Sequence, residues 1–284
     1  MKNLILTLSL TVLSTLGMIA QTTSFQSWNS VASQRAGVLN VNYLVNYPFA
    51  YSDPNGADMG IEIDIIREFE KWLETYKGVT LKLNYKKFEN FDTFYNGIKD
   101  GGNGIIGLGS VTISKEREKW AKFSQPYLKN VAVLASSLDV QTLGSLDDFS
   151  TVFKDKVALV VKGSSHEKVL LAIKADQFPE MVVSYASNPK EMLIKMKSDP
   201  KYFGYVDIIT YMAFTKEQGG ILRVHRTADI QSELFGFVFP PNSDWNTIFN
   251  EFMVGGFGFT ATDEYHAILE KYLEINVINE VQLR

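Results

Sequence analysis

Arg117 closes the segment Thr112-Ile113-Ser114-Lys115-Glu116-Arg117, and Phe123-Ser124-Gln125-Pro126-Tyr127 follows a few residues later. Ser114 predicts an N-cap, which puts Arg117 in the first helical turn, where unpaired N–H groups and the positive end of the helix dipole gather. A cation there costs a few tenths of a kcal/mol to about 1 kcal/mol. An anion in front of the turn reverses the sign, because Arg grips a carboxylate by two parallel hydrogen bonds while backbone amides and a hydroxyl close the shell. A small carboxylate ligand is the leading expectation. The plain alternative is an Arg stacked on Trp120 or paired with Glu118 at the surface.

A free amino acid presents a carboxylate, an ammonium and a variable side chain, so its site needs a cation, an anion and an apolar wall. Arg117, with the N–H and hydroxyl of Thr112, would hold the carboxylate. Ser165, at the start of a predicted helix after Lys162-Gly163-Ser164, would add a hydroxyl and an N–H, although a simple N-cap role fits it equally. Asp207 ends the run Phe203-Gly204-Tyr205-Val206, at the carboxyl end of a strand, where α/β sheets place ligands. It would take the ammonium, with the backbone C=O of Ser110 sharing the same protons. Capping the helix that begins at Ile208 suits Asp207 just as well.

The Arg117 and Pro126-Tyr127 elements, together with Gly60-Ile61-Glu62-Ile63-Asp64 upstream, resemble the signature of the type 2 periplasmic solute-binding proteins that serve polar amino-acid uptake. The resemblance runs from about Gly37 to Tyr272. It implies an α/β fold of two lobes, each a mixed, mostly parallel sheet flanked by helices, with two hinge crossings. It also implies closure on a small-molecule ligand, an α-amino acid, and delivery to an ABC permease in the membrane, with no cofactor and no metal. Asp207 matches the family's amino-group carboxylate. Tyr47 in Asn46-Tyr47-Pro48-Phe49 and Phe91 in Asn90-Phe91-Asp92 match the aromatic pair that sandwiches the ligand, although one proline fewer stands here than is usual between Tyr47 and Phe49. Leu44 stands where relatives that bind basic amino acids carry an acid, which argues against Lys or Arg as ligand.

The composition allows this reading and removes others. The chain has 284 residues, 45% of them hydrophobic, enough for one large or two medium domains. A net charge of -4 with no basic stripe argues against nucleic acid. Cysteine is absent, which excludes disulfides, thiolate metal sites, a cysteine nucleophile and a lipoprotein anchor. His166, His225 and His266 are far apart and fit no metal spacing, so surface positions are expected for all three. Met1-Lys2-Asn3, the apolar stretch Leu4 to Leu16, and Gly17 to Ala20 predict a cleaved export signal over residues 1–20. A monomer in the periplasm is expected.

Short apolar runs alternating with helical patterns predict β-α-β units. Strands are expected at Val38–Leu44, Val79–Tyr85, Ile105–Leu108, Asn130–Ser136, Lys156–Val161, Met181–Tyr185, Phe203–Asp207 and Glu233–Phe239. Helices are expected at Ile61–Tyr76, Phe91–Lys99, Ser165–Ala175, Pro189–Lys197, from Ser243 or Asp244 to Met253, and at Thr262–Tyr272, the last. Ile61, Ile65, Phe69 and Trp72 or Leu73 form one apolar stripe. The expected division is lobe 1 over residues 21–134 and 231–284 and lobe 2 over 135–230, with crossings near Ala132–Ser137 and Thr227–Glu233. Two rivals stand beside a binding protein. One is a dehydratase of cyclic acids on the same fold, which needs a second acid that the motifs do not place beside Asp207. The other is a stand-alone sensor domain.

Overall fold

The computed structural model describes residues 25–220 and 222–283, and the predicted export signal lies outside them. The strands, in chain order, are β1 (Ala36–Leu44), β2 (Tyr51–Ser52), β3 (Asp58–Met59), β4 (Thr80–Phe88), β5 (Ile105–Leu108), β6 (Lys122–Phe123) and β7 (Leu128–Ser136). They continue with β8 (Val157–Val161), β9 (Val182–Ala186), β10 (Tyr202–Asp207), β11 (Arg223–Val224), β12 (Ile230–Phe235) and β13 (Val238–Phe239). The helices are α1 (Trp28–Gln34), α2 (Ile61–Trp72), α3 (Phe91–Lys99), α4 (Phe149–Val152), α5 (Ser165–Asp176), α6 (Pro189–Ser198), α7 (Ile208–Gln218), α8 (Trp245–Val254), α9 (Asp263–Tyr272) and α10 (Ile275–Val281).

Two large sheets result, besides the two-stranded antiparallel pair β2–β3. The first runs β4-β1-β5-β13-β6, and the second runs β11-β7-β10-β8-β9 with β12 also on β7. Strands β1, β4 and β5 are parallel, as are β8, β9 and β10, while β7 is antiparallel to β10, β11 and β12. The last six residues of β1 are all buried, as an inner strand covered on both faces requires. The predicted stripe packs inward: Ile61, Ile65 and Phe69 on α2 and Leu73 just after it are fully buried, while Trp72 is partly buried. In the second body Phe149, Phe153 and Phe203 stack into a core of their own.

The expected single strand Glu233–Phe239 is in fact two strands in different sheets. β12 pairs with β7, whereas β13 pairs with β5 and β6. Gly236 lies between them, and a Cβ there would come within 2.8 Å of the Ile113 side chain. A side chain there would push the Ile113 side chain aside, so glycine lets the returning strand pass close to the loop after β5 without that shift. The chain thus passes from the first sheet to the second along β7 and returns along β12. In that antiparallel pair Asn130 faces Glu233 and Ala132 faces Ile230. Helix α10 follows the helix expected to be last.

The Gly60–Asp64 stretch is a positioning device. Gly60 has φ 126°, and a Cβ on it would lie 2.2 Å from the Phe49 carbonyl oxygen. Asp64 accepts from Arg67 on α2 and from Lys271 and Tyr272, tying α2 to the end of α9. Glu62 is fully buried, and its Oε1 accepts the Ser110 N–H at 3.0 Å and the Tyr127 hydroxyl at 2.8 Å. Burial pushes the Glu62 carboxyl up to about 7, although both hydrogen bonds act the other way.

Gly60→Ala should lose on the order of 2 kcal/mol in urea unfolding, since it must adopt a backbone that L side chains avoid and still clear Phe49; wild-type stability would contradict the close approach. For Glu62 the folded state favours the neutral form, so stability is fully present below the unfolded value near 4.5 and falls as pH rises to about 7. Unfolding curves at pH 4.5 and pH 7.5 should show that loss in the wild type and a smaller one in Glu62→Gln.

Candidate ligand-binding cleft

Arg117 does not open an α-helix. Residues Arg117–Lys119 form one 3-10 turn, too short to carry a helix dipole, although the Ser114 hydroxyl does accept the Arg117 N–H at 3.3 Å. What holds the side chain is tertiary. The guanidinium is buried, with its carbon 5.7 Å from the Phe91 ring centroid and 5.4 Å from that of Tyr95. Nη1 donates to the Thr112 carbonyl at 2.9 Å, and Nη2 donates to the Gly163 carbonyl at 3.1 Å, across the cleft. Burial lowers the pKa of Arg117, opposed by Tyr95 and Glu233. The stacking surface is the Phe91–Tyr95 pair rather than Trp120, which instead meets Tyr95 edge-on.

The opposite wall comes from the second sheet. Ser164 is the N-cap of α5, its hydroxyl accepting the Glu167 N–H at 3.2 Å, which leaves the Ser165 hydroxyl free of that duty. Ser165 Oγ lies 3.4 Å from Thr112 Oγ1, so the two hydroxyls meet across the cleft. Asp207 precedes α7 but its side chain makes no capping bond. Its carboxylate instead accepts from Asn130 Nδ2 at 2.6 Å and faces the cavity, only 8% exposed. Between the walls lies a space of about 540 Å³ including its open mouth, lined by Ser110, Thr112, Arg117, Ser165 and Asp207 and by the apolar Leu44, Phe91, Val161 and Met192. Ser110 sits there with φ 46°, a left-handed backbone that costs on the order of 1–3 kcal/mol and persists because Glu62 holds its N–H.

Six of the seven expected residues therefore line one cavity. Tyr47 does not: it packs edge-on against Tyr51, at 4.9 Å, and lines an adjoining pocket that shares Asn46 with the cleft. The shortened turn sends Phe49 into the core, where it is fully buried, and leaves Tyr47 outside the sandwich.

The histidines depart furthest from expectation. His266 is exposed as expected, but His225 is fully buried, pairing with the Ser136 hydroxyl at 2.8 Å and accepting the Leu143 N–H at 3.0 Å. Burial pushes it down to about 4. His166 lines the cleft, its Nε2 3.5 Å from Asp207 Oδ1 and 3.7 Å from Glu233 Oε2. Asn130 Nδ2 donates to those same two oxygens, at 2.6 and 2.9 Å. Burial disfavours an imidazolium, yet the nearby carboxylates of Asp207 and Glu233 outweigh it and raise His166 to about 10. Burial likewise raises Glu233, and His166, Asn130 and Ser165 reverse it, holding the carboxyl at about 2.

Glu233, Asn130 and His166 were thus missed in the sequence. His166 had a signal, standing next to Ser165 in a nominated loop. Asn130 and Glu233 had none, since only the β7–β12 register brings them together.

No curated protein matches the sequence. Solved structures match the fold. A structure of an ancestral arginine-binding protein bound to arginine is 23% identical with a TM-score of 0.66, covering 84% of this chain and 99% of that one. A Streptococcus pneumoniae substrate-binding protein of an ABC uptake transporter, with histidine bound, is 16% identical with a TM-score of 0.70, covering 87% and 95%. The ancestral amino acid-binding protein AncCDT-1, a precursor of cyclohexadienyl dehydratase, is 20% identical with a TM-score of 0.63, covering 87% and 99%. These likenesses concern the two-lobe fold. The profile of one family matches residues 39–275, from within β1 to the start of α10, and on that ground this chain belongs to the bacterial extracellular solute-binding proteins, family 3.

Proposed function

We propose that this protein captures a small α-amino acid between its lobes and presents it to an ABC permease in the membrane, as a monomer in the periplasm and without catalysing a reaction. One observation carries the reading: Arg117 and Asp207, both buried, come from opposite walls of a single cavity and carry the opposite charges that a zwitterion needs. Arg117, the Thr112 N–H and hydroxyl, and the Ser165 hydroxyl take the carboxylate. Asp207 and the Ser110 carbonyl take the ammonium. Phe91 supplies the aromatic wall, and Leu44, Val161 and Met192 receive the side chain.

The lobes are residues 21–134 with 231–284, and 135–230, joined through β7 and β12. The walls meet directly at Arg117 and Gly163, at Asn188 and Glu89, and through the Lys168–Glu116 ion pair. A ligand that bridges them shifts the population toward the closed state by its differential affinity. No helix among the described residues is long and apolar enough to cross a membrane.

One observation favours the enzymatic rival more than the sequence did: Glu233 is a second acid beside Asp207. Held at about 2 by His166, Asn130 and Ser165, it is ionised at neutral pH and would serve that rival as a base rather than as the proton donor.

A thermal-shift screen against the twenty amino acids and related carboxylates tests the proposal. The true ligand at about 100 times its Kd should add roughly 2.7 kcal/mol of stability. Arg117→Ala and Asp207→Asn should each weaken binding about 100-fold, the cost of leaving a buried charge unpaired. Silence toward every α-amino acid, or turnover of a prephenate-like acid by the purified protein, would overturn it.

A further inference from the structure

Two carboxylates, the buried one of Asp207 and the partly buried one of Glu233, and one imidazole converge at the floor of the cleft, and the amino-acid reading uses only one of the three. His166, Asp207 and Glu233 each offer a ligand atom, and those atoms lie within 4.8 Å of one another. They come from three elements, the start of α5, the end of β10 and the middle of β12, so no sequence spacing announces them. We propose that His166 Nε2 and the carboxylates of Asp207 and Glu233 form a binding site for a divalent transition-metal ion of the zinc class.

Four features support this. First, the donors are right in kind: imidazole suits zinc, nickel and copper better than calcium or magnesium, and two carboxylates neutralise a dication. Second, the spacing is right. Bonds of about 2.0–2.2 Å in a tetrahedral shell leave ligand atoms roughly 3.3–3.6 Å apart, against 3.5 and 3.7 Å from Nε2 to the two oxygens. Third, Nε2 is buried and has no hydrogen-bond partner among the described residues. An imidazolium serving only as a counter-ion would close on one carboxylate at about 2.7–2.9 Å, whereas this nitrogen stands off both nearly equally.

Fourth, an outer shell is present. Asn130, fully buried, donates to Asp207 Oδ1 and Glu233 Oε2 and so fixes the two oxygens that face Nε2. The ion takes the place of the imidazolium proton between the carboxylates. A further coordination position faces Thr112 and Ser165, whose hydroxyls lie 3.4 Å apart beside Glu233. An amino acid held by Arg117 would reach the ion there with its amino nitrogen and carboxylate, so the cleft would accept a metal chelate as well as a free zwitterion.

The test is isothermal titration of tag-free, metal-stripped protein with zinc chloride, in the absence of any amino acid. One equivalent should bind, and His166→Gln and Glu233→Gln should each weaken it by at least about 100-fold while circular dichroism stays that of the wild type. Asn130→Ala, which keeps all three ligands, should weaken it about 10–100-fold. Absence of saturable binding, or binding that survives His166→Gln, would overturn the proposal and leave the cluster as a buried ion triad or the zinc as adventitious. Because zinc is titrated alone, that failure leaves the amino-acid reading standing, and silence in the amino-acid screen leaves the zinc result standing.

Discussion

The Arg117 guanidinium is taken out of water, and its donors reach carbonyls on both walls of the cleft, Thr112 on one and Gly163 on the other. A buried cation is tolerated only where acceptors and counter-charges surround it. The surroundings here satisfy that demand: two aromatic faces flank the group, and Glu233 and Tyr95 offset the loss of hydration. Opposite it, Asp207 and Glu233 are balanced by His166 and held by Asn130. The floor of the cleft is thus a compact set of charges of both signs, whose members come from both sheets and from the strands that join them.

This arrangement depends on how the chain crosses. β7 and β12 run antiparallel between the bodies, and their register puts Asn130 opposite Glu233 directly below Asp207. The returning strand then bends at Gly236 and enters the first sheet as β13. The crossing pair therefore serves two purposes at once. It is the mechanical link between lobes, and it supplies two of the polar side chains that line up the acids.

The GIEID stretch illustrates how a motif can serve a site without touching a ligand. Glu62 is too deep to meet a solute, yet it fixes the N–H of Ser110 and with it the left-handed turn that aims the loop after β5 into the cleft. Gly60 lets α2 start hard against the Phe49 backbone, and Asp64 fastens the same helix to α9. The strain at Ser110 is borne by a buried carboxyl one helix away.

Local order was legible in the sequence because it rests on periodicity and on short-range chemistry. The α2 stripe, the helix Phe91–Lys99, the strand Ile105–Leu108 and the start of α5 all follow from neighbours within a few residues. Arg117, Ser110, Thr112, Ser165 and Asp207 were nominated in the same way and Phe91 through the resemblance, and the six share one cavity. The two-lobe α/β fold was legible through the resemblance of three ordered motifs. Tertiary packing decided what no local signal carries. It replaced the helix expected at Arg117 by a single turn, drew Tyr47 out of the cleft, split Glu233–Phe239 between two sheets, buried His225 and turned His166 into the cleft. The reason is physical: burial, ion pairing and strand register are properties of segments far apart in the chain, so Asn130, His166, Asp207 and Glu233 acquire their common function only when the crossing strands bring them within a few ångströms.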